Sequence, residues 1–203
     1  MQNIIVDGEI VSPSKVVCIG RNYVDHIKEL NNEIPKQMVI FVKPNSAISS
    51  AIVCDQKEAI HYESEISFVI DGGKISAVGF GLDLTKRALQ TQLKNQGLPW
   101  ERAKSFDKSA VFSEFVGFTG DIKALSLQLF INDILIQEGD VALMINKPLE
   151  IIDEVSTFMS FAAGDILMTG TPKGVGELFC GDRFMGRMYN GEQLIIEKCW
   201  IVL

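Results

Sequence analysis

Hydrophobic positions along this chain come mostly in short, β-branched runs bounded by Gly, Asp, Asn or Pro, the pattern of strands. Such runs are "IIVDGEIV", "KVVCIG", "MVIFVKP", "SEISFVI", "SAVGFGLDL", "LSLQLFIND", "ILIQEG", "DILMTG" and "QLIIEKCWIV". "INDILIQEGD" reads as a hairpin turning at Asn132-Asp133, residue types that tolerate a left-handed backbone. Helical spacing is rarer. "NYVDHIKELN" sets Tyr23, His26, Ile27 and Leu30 at helical spacing, with Asn22 as the expected cap. "TKRALQTQLKNQG" predicts a helix opened by Thr85 and closed by Gly97. "PLEIIDEVSTFMSF" predicts a third, with Ile151, Ile152, Val155 and Phe158 as its apolar stripe. Many short strands with a few irregularly placed helices predict an α+β, strand-rich fold whose sheets curl or sandwich. Regular strand–helix alternation is missing, which disfavours a doubly wound sheet.

At 203 residues and 47% hydrophobic, the chain can fill one sizeable core, and no repeat or low-complexity tract divides it. Residues 1–203 are therefore read as one large domain, or as a domain with a small N-terminal appendage. A net charge of −7 argues against nucleic acid or an anionic membrane as partner, since both attract basic surfaces. No apolar run approaches the roughly eighteen residues needed to span a bilayer. The opening "MQNIIVDGEI" lacks the basic start and long apolar stretch of a signal peptide. Cys18, Cys54, Cys180 and Cys199 show no C-x-x-C spacing and signal neither a zinc site nor a disulfide framework. They are expected to be buried, reduced thiols of a cytoplasmic protein. Only two histidines, His26 and His61, are present, so schemes needing several imidazoles are excluded.

The strand "HYESEISFVI" carries the densest candidate chemistry. Alternation puts Tyr62, Ile66, Phe68 and Ile70 on one face and His61, Glu63, Glu65, Ser67 and Val69 on the other. Two carboxylates on one face repel, and a divalent cation is the simplest compensation. Oxygen-only ligands favour a hard ion, Mg²⁺, Mn²⁺ or Ca²⁺, over zinc. A solvated pair on an edge strand is the plain alternative. A third acid, Asp83, stands in "GFGLDLT" at a strand end, where it could equally open the next helix. His26 and Glu29, three apart on the first helix, can meet, and such contact would fix the imidazole tautomer and support a base; an exposed helical pair is the alternative. Lys43 in "FVKPNS" and Lys104 in "WERAKSFD" could each bind an anion or simply be solvated. "MTGTPKGVG" is a Gly-rich turn whose N–H groups could hold a carboxylate or phosphate, although it is not a P-loop.

"GRNYVDHIKEL", "FVKPNSAI", "HYESEISFVI", "LDLTKRALQ", "GLPWERAKSFD" and "GDILMTGTPKGVG" occur in an order that resembles the fumarylacetoacetate hydrolase family, from about Lys15 to the C-terminus. The likeness is greatest to its small acylpyruvate hydrolases and related decarboxylases and isomerases. The resemblance implies Mg²⁺ or Mn²⁺ held by Glu63, Glu65 and Asp83. It implies catalytic roles for His26 and Glu29 on a short lid helix, and for Lys104 beside metal and substrate. Arg21, Gln90, Gly170 and Thr171 match positions that line the site or hold a substrate carboxylate, and Lys43 is carried with them as substrate-binding. His61 lies beside the metal pair, but the base so implied is His26. The family fold is a rolled mixed β-sheet with flanking helices, and its members usually form homodimers.

Two departures stand out: no helix separates the E-x-E strand from "LDLT", and Arg87-Ala88 replaces the family's usual R-D. The expected activity is hydrolysis of a 2,4-diketo acid, an acylpyruvate, to pyruvate and a carboxylic acid. Oxaloacetate decarboxylation and keto–enol isomerisation of a related 2-oxo acid, such as 2-hydroxyhepta-2,4-diene-1,7-dioate, share the same ligands and stand as alternatives. So do a non-catalytic protein that keeps the fold and a Ca²⁺-stabilised structural domain.

Overall fold

The computed structural model describes residues 1–30, 33–55 and 57–203. A small hairpin of β1 (Ile4–Val6) and β2 (Glu9–Val11) precedes the main sheet. That sheet has eight strands. It runs β4 (Val39–Pro44), β3 (Lys15–Gly20), β14 (Asp165–Met168), β7 (Ser64–Asp71), β8 (Lys74–Asp83), β10 (Ala110–Phe112) and β5 (Ile48–Ser49), with β11 (Val116–Gly117) also pairing to β8. It is mixed: β3 with β14 and β5 with β10 are parallel, the remaining pairs antiparallel. A four-stranded antiparallel sheet follows the order β13 (Ile134–Asp140), β12 (Leu125–Ile131), β16 (Arg183–Asn190), β17 (Gln193–Ile201). A third, small sheet joins β15 (Gly176–Glu177), β6 (Ile60–Tyr62) and β9 (Thr85–Lys86). Among the described residues, four α-helices flank them: α1 (Val24–Glu29), α2 (Arg87–Asn95), α3 (Glu101–Lys104) and α4 (Pro148–Ser156). The result is the strand-rich α+β fold expected, a rolled mixed sheet with few helices.

The alternation of β7 explains how the core is divided. Ile66, Phe68 and Ile70 join Val17, Ile19, Phe80 and Leu82 in the larger cluster, packed on Leu127 and Leu129 of β12, Phe184 of β16, and Ile151, Ile152 and Val155 of α4. Val69 points the other way, into a second cluster with Val16, Cys18, Ala77, Phe112 and Ile166. Both faces of the strand are therefore buried, as an interior strand between β14 and β8 requires. The solvated-edge alternative for Glu63 and Glu65 is removed.

Several local expectations shift. The turn at Asn132 and Asp133 forms with φ of 50° and 69°, the left-handed pair of a two-residue hairpin. Gly97 likewise closes α2 with φ 65°. Thr85, however, belongs to β9, and α2 starts only at Arg87. Asn22 does not cap α1, where Tyr23 takes that position without a side-chain bond. Its amide instead donates to the carbonyls of Thr169 and Asn146, and its oxygen accepts from Asn146 N–H. Asn31, the last residue of the expected first helix, lies outside the described residues. Phe158 falls beyond α4 and is exposed, because the helix ends at Ser156. The β10 and β16 strands have no counterpart among the predicted runs; "RFMGRMYN" alternates well but is interrupted by Gly186 and two arginines.

The cysteines require a correction. Cys54 and Cys180 are disulfide-bonded, with their Cα atoms 5.9 Å apart; Cys18 is free and buried, and Cys199 is free and exposed. A pairing across 126 residues leaves no local spacing signal. The bond sits where the C-terminus folds back, with Cys54 N–H donating to Leu203 O and Gly181 N–H to Val202 O. Among the described residues, no helix is long and apolar enough to cross a membrane.

Asp165 closes the start of β14 against the chain entering β3. Its buried carboxylate accepts from Ser14 N–H (2.8 Å), Ser14 Oγ (2.7 Å), Lys15 N–H (3.1 Å), Ala162 N–H (2.8 Å) and the Lys15 ammonium. Burial alone would raise its pKa, but the bonds from Lys15, Ser14 and Ala162 outweigh that and hold it below the usual carboxylate range. A depressed folded pKa gives stability that is complete above the unfolded value of about 3.9 and is lost as pH falls through the folded one. We expect Asp165→Asn to lose about 2–4 kcal/mol at neutral pH. Urea unfolding at pH 7 and pH 3 should show the difference between wild type and variant shrinking at the lower pH.

Candidate active site

Glu63, Glu65 and Asp83 come from one hairpin. Glu63 stands in the break between β6 and β7, Glu65 is on β7, and Asp83 ends β8, its N–H donating to Glu63 O at 2.8 Å. The ladder pairs Ser64 with Leu82 and Glu65 with Gly81, so the three carboxylates converge. One ligand atom from each lies within 4.8 Å of the others, and all three residues are buried.

Cations from three other segments meet them. The Lys104 ammonium, at the end of α3, donates to Glu63 Oε2 (2.8 Å), Asp83 Oδ2 (2.5 Å) and Thr85 Oγ1 (2.6 Å). Arg87 at the start of α2 pairs with Glu63 Oε1, and its other arm donates to Gln90 Oε1 at 2.8 Å. Lys43 is completely buried behind Asp83, 2.8 Å from Oδ1. Its hydrogens are directed at the carbonyls of Ser109 (3.0 Å), Leu84 (3.3 Å) and Lys104. Asp83 Oδ1 thus faces a positive charge without accepting a directed hydrogen bond. Lys43, expected among the substrate contacts, occupies the layer beneath the carboxylates instead.

This charge layout sets the protonation states. Burial works against ionising Glu63, but Lys104 and Arg87, helped by His26, hold its carboxyl well below the usual range. Glu65 is pushed up, first by burial and then by Asp83 and Glu63, with the Gly170 N–H and Lys104 opposing. Burial would lower the Lys104 pKa, yet Asp83 and Glu63 raise it overall. Glu65 is the carboxylate whose charge is least compensated. All-oxygen donors, an Asp83 oxygen without a hydrogen bond and an under-compensated Glu65 fit a hard divalent cation.

His26 and Glu29 lie on α1, a helix of six residues, with Nδ1 and Oε2 3.2 Å apart and the imidazole buried. Glu29 Oε1 accepts Gly174 N–H at 2.9 Å, joining α1 to the loop after β14. The same loop supplies Gly170 N–H to Glu65 Oε2 at 2.7 Å and buries Thr171. Its glycines are forced. A Cβ on Gly174 (φ 97°) would stand 2.3 Å from Ile136 O, and one on Gly170 (φ 91°) 2.8 Å from Asn22 Cβ.

The structure brings His26, Glu29, Lys104, Gln90, Gly170 and Thr171 to the walls around the triad. Arg21 stands at the turn into α1 with φ 58°, close enough to Lys94 for their charges to interact. His61 is half-buried on β6, and burial followed by the Arg87 charge lowers its pKa. Sequence reasoning passed over Thr85, Arg87 and Gln137 as site residues. Thr85 and Arg87 lie in "LDLTKR", where adjacency to Asp83 was the available signal; Gln137 offered none beyond a polar residue in an apolar run.

The rolled mixed sheet that carries this triad matches the fumarylacetoacetate hydrolase-like fold. The sequence model described as Fumarylacetoacetate (FAA) hydrolase C-terminal matches residues 15–197, and the chain belongs to that family. It is 38% identical over 192 residues to oxaloacetate tautomerase YcgM of Escherichia coli (strain K12), covering 83% of this chain and 85% of that protein. A crystal structure from Oleispira antarctica matches with TM-score 0.95 at 34% identity over 100% of both chains. Fumarylpyruvate hydrolase from Pseudomonas aeruginosa, in complex with Mn²⁺ and pyruvate, matches with TM-score 0.90 at 25% identity, over 100% of this chain and 95% of that one.

Replacing Gly174 by Ala should displace the loop from Ile136 and withdraw its N–H from Glu29, at a cost of about 1–3 kcal/mol in stability. Turnover should fall while circular dichroism stays native; unchanged turnover would separate Glu29 from this loop.

Proposed function

We propose that the chain is a metal-dependent enzyme that enolises small 2-oxo acids, with keto–enol tautomerisation of oxaloacetate as its reaction. One observation carries the reading. A buried triad of hard oxygen ligands lies beside a carboxylate-oriented histidine, which is what proton exchange next to a chelated carbonyl requires. The oxaloacetate tautomerase name of the Escherichia coli relative supports the substrate.

Glu63, Glu65 and Asp83 would hold Mg²⁺ or Mn²⁺. When bound, that ion would supply positive charge and open coordination positions for the 2-oxo and carboxylate oxygens of the substrate. The chain's own residues do the rest. With Nδ1 directed at Glu29, His26 keeps Nε2 to take the proton from C3 and to return one to the enolate oxygen, giving the enol. Glu29 steadies the imidazolium that forms, and Gly174 steadies Glu29. Lys104 holds Glu63 and Asp83 in place and puts a fixed positive charge beside the developing enolate. The Gly170-Thr171 turn, with Arg21 and Gln90, would receive substrate carboxylate. Acylpyruvate hydrolysis is the second reading, supported by the likeness to fumarylpyruvate hydrolase. There the same imidazole would deprotonate water, whose oxygen joins the distal carbonyl carbon as the pyruvate enolate departs.

Stopped-flow ketonisation of enol-oxaloacetate with Mg²⁺, run beside acetylpyruvate, fumarylpyruvate and oxaloacetate decarboxylation assays, tests the choice. Tautomerisation should be fastest; faster cleavage of either acylpyruvate would give the hydrolytic reading precedence. Glu63→Gln should abolish Mn²⁺ binding and turnover together. His26→Asn should keep Mn²⁺ binding and lose about 10²–10⁴-fold in kcat. Full activity in either variant would sink the scheme.

A further inference from the structure

We propose that Gln137, a residue outside the triad and outside the His–Glu pair, is the positioning residue that makes Thr171 a hydrogen-bond donor toward substrate carboxylate. The inference rests on the site reading above and deepens it. Gln137 is on β13 of the four-stranded sheet, buried to 1% exposure, where its amide bridges two halves of the site. Its Oε1 accepts Ser64 N–H at 3.0 Å, between the two metal-site glutamates. Its Nε2 donates to Thr171 Oγ1 (2.9 Å) and Pro172 O (2.9 Å), with Lys173 O at 3.4 Å.

The hydroxyl chemistry follows. A threonine hydroxyl has one hydrogen and two lone pairs. The Gln137 N–H occupies a lone pair, so the hydroxyl's own hydrogen must point elsewhere. Its one intramolecular acceptor among the described residues, Pro172 O, is 3.3 Å away and already receives Gln137. That hydrogen is therefore poised for a better acceptor, and a carboxylate oxygen is one. Thr171 follows Gly170, whose N–H holds Glu65, so an anion accepting from the hydroxyl would sit next to the triad. Gln137 also keeps loop 170–174 in register with Ser64, which ties the substrate side to the ligand strand through one side chain.

The test is a double-mutant cycle read by oxalate binding, oxalate being a planar mimic of pyruvate enolate that needs no turnover. Calorimetry on Mn²⁺-loaded protein would compare wild type, Gln137→Met, Thr171→Val and the double variant. Each single variant should weaken oxalate about tenfold, one hydrogen bond's worth. The double variant should be no weaker than Thr171→Val alone, because both remove the same donated hydrogen bond. Mn²⁺ affinity without oxalate should change by less than about threefold. A merely structural glutamine would instead give additive losses, or a lower melting temperature with wild-type oxalate affinity; either result overturns the proposal. If Gln137→Met does not fold, Gln137→Asn, polar but one methylene too short to reach Thr171, should give the same non-additive loss. Wild-type protein that binds Mn²⁺ but no oxalate would overturn both the substrate-site reading and this inference. Wild-type oxalate binding that Gln137 variants leave unchanged would overturn this inference alone.

Discussion

Three carboxylates cannot stand together in a protein interior unless positive charge is built around them. Two unit charges 4 Å apart repel by about 4 kcal/mol at an effective dielectric constant near 20, and each buried ion adds a desolvation cost. The chain meets this with the Lys104 ammonium shared by Glu63 and Asp83, Arg87 on Glu63, and Lys43 behind Asp83. Each cation comes from a different element, so the elements are fastened to one another at the carboxylates. Lys43 shows how far this goes: its stem and ammonium are wholly enclosed, and three carbonyls from separate segments close on it. Glu65, with an N–H as its directed partner, keeps the local charge balance open to a further cation.

The rest of the fold keeps that arrangement rigid. A central strand with both faces buried cannot tilt or slip its register without disturbing two cores at once. Against this fixed base the protein sets two lighter parts, the short helix with His26 and Glu29 and the loop Gly170–Gly174. They lean on each other through Gly174 and Glu29 and on the strand through Gly170 and Glu65. Both parts are held by backbone N–H groups on carboxylates, and the loop also by the Gln137 side chain.

Much of this was legible in the sequence. Short β-branched runs between Gly and Asp marked most strands, and alternation in "HYESEISFVI" correctly assigned its apolar residues to one core and Val69 to the other. The carboxylate triad was legible because Glu63 and Glu65 stand two apart at the start of one strand and Asp83 ends the next. What stayed hidden depends on tertiary proximity. The Cys54–Cys180 bond, the role of Asn22 as a brace between segments and the burial of Lys43 leave no local trace in composition or spacing. Thr85 reads as a helix opener because "DLTKR" carries helix-start chemistry, yet pairing with β6 draws it into a strand. Competition between local signal and distant partner explains most of the differences.

The hairpin origin of the triad has a consequence for how the molecule acquires function. A contact between distant residues must meet a larger loop-closure entropy than one between neighbours in sequence. Glu63, Glu65 and Asp83 are assembled by one tight β7–β8 turn, while Gly170 reaches Glu65 across 105 residues and Gly174 reaches Glu29 across 145. Both the carboxylates and the His26–Glu29 pair lie in the first half of the chain, so the loop Gly170–Gly174, which bonds to Glu65 and Glu29, joins parts that all precede it. That loop is a clasp, and its glycines relieve the strain of closing the site across long spans of the chain.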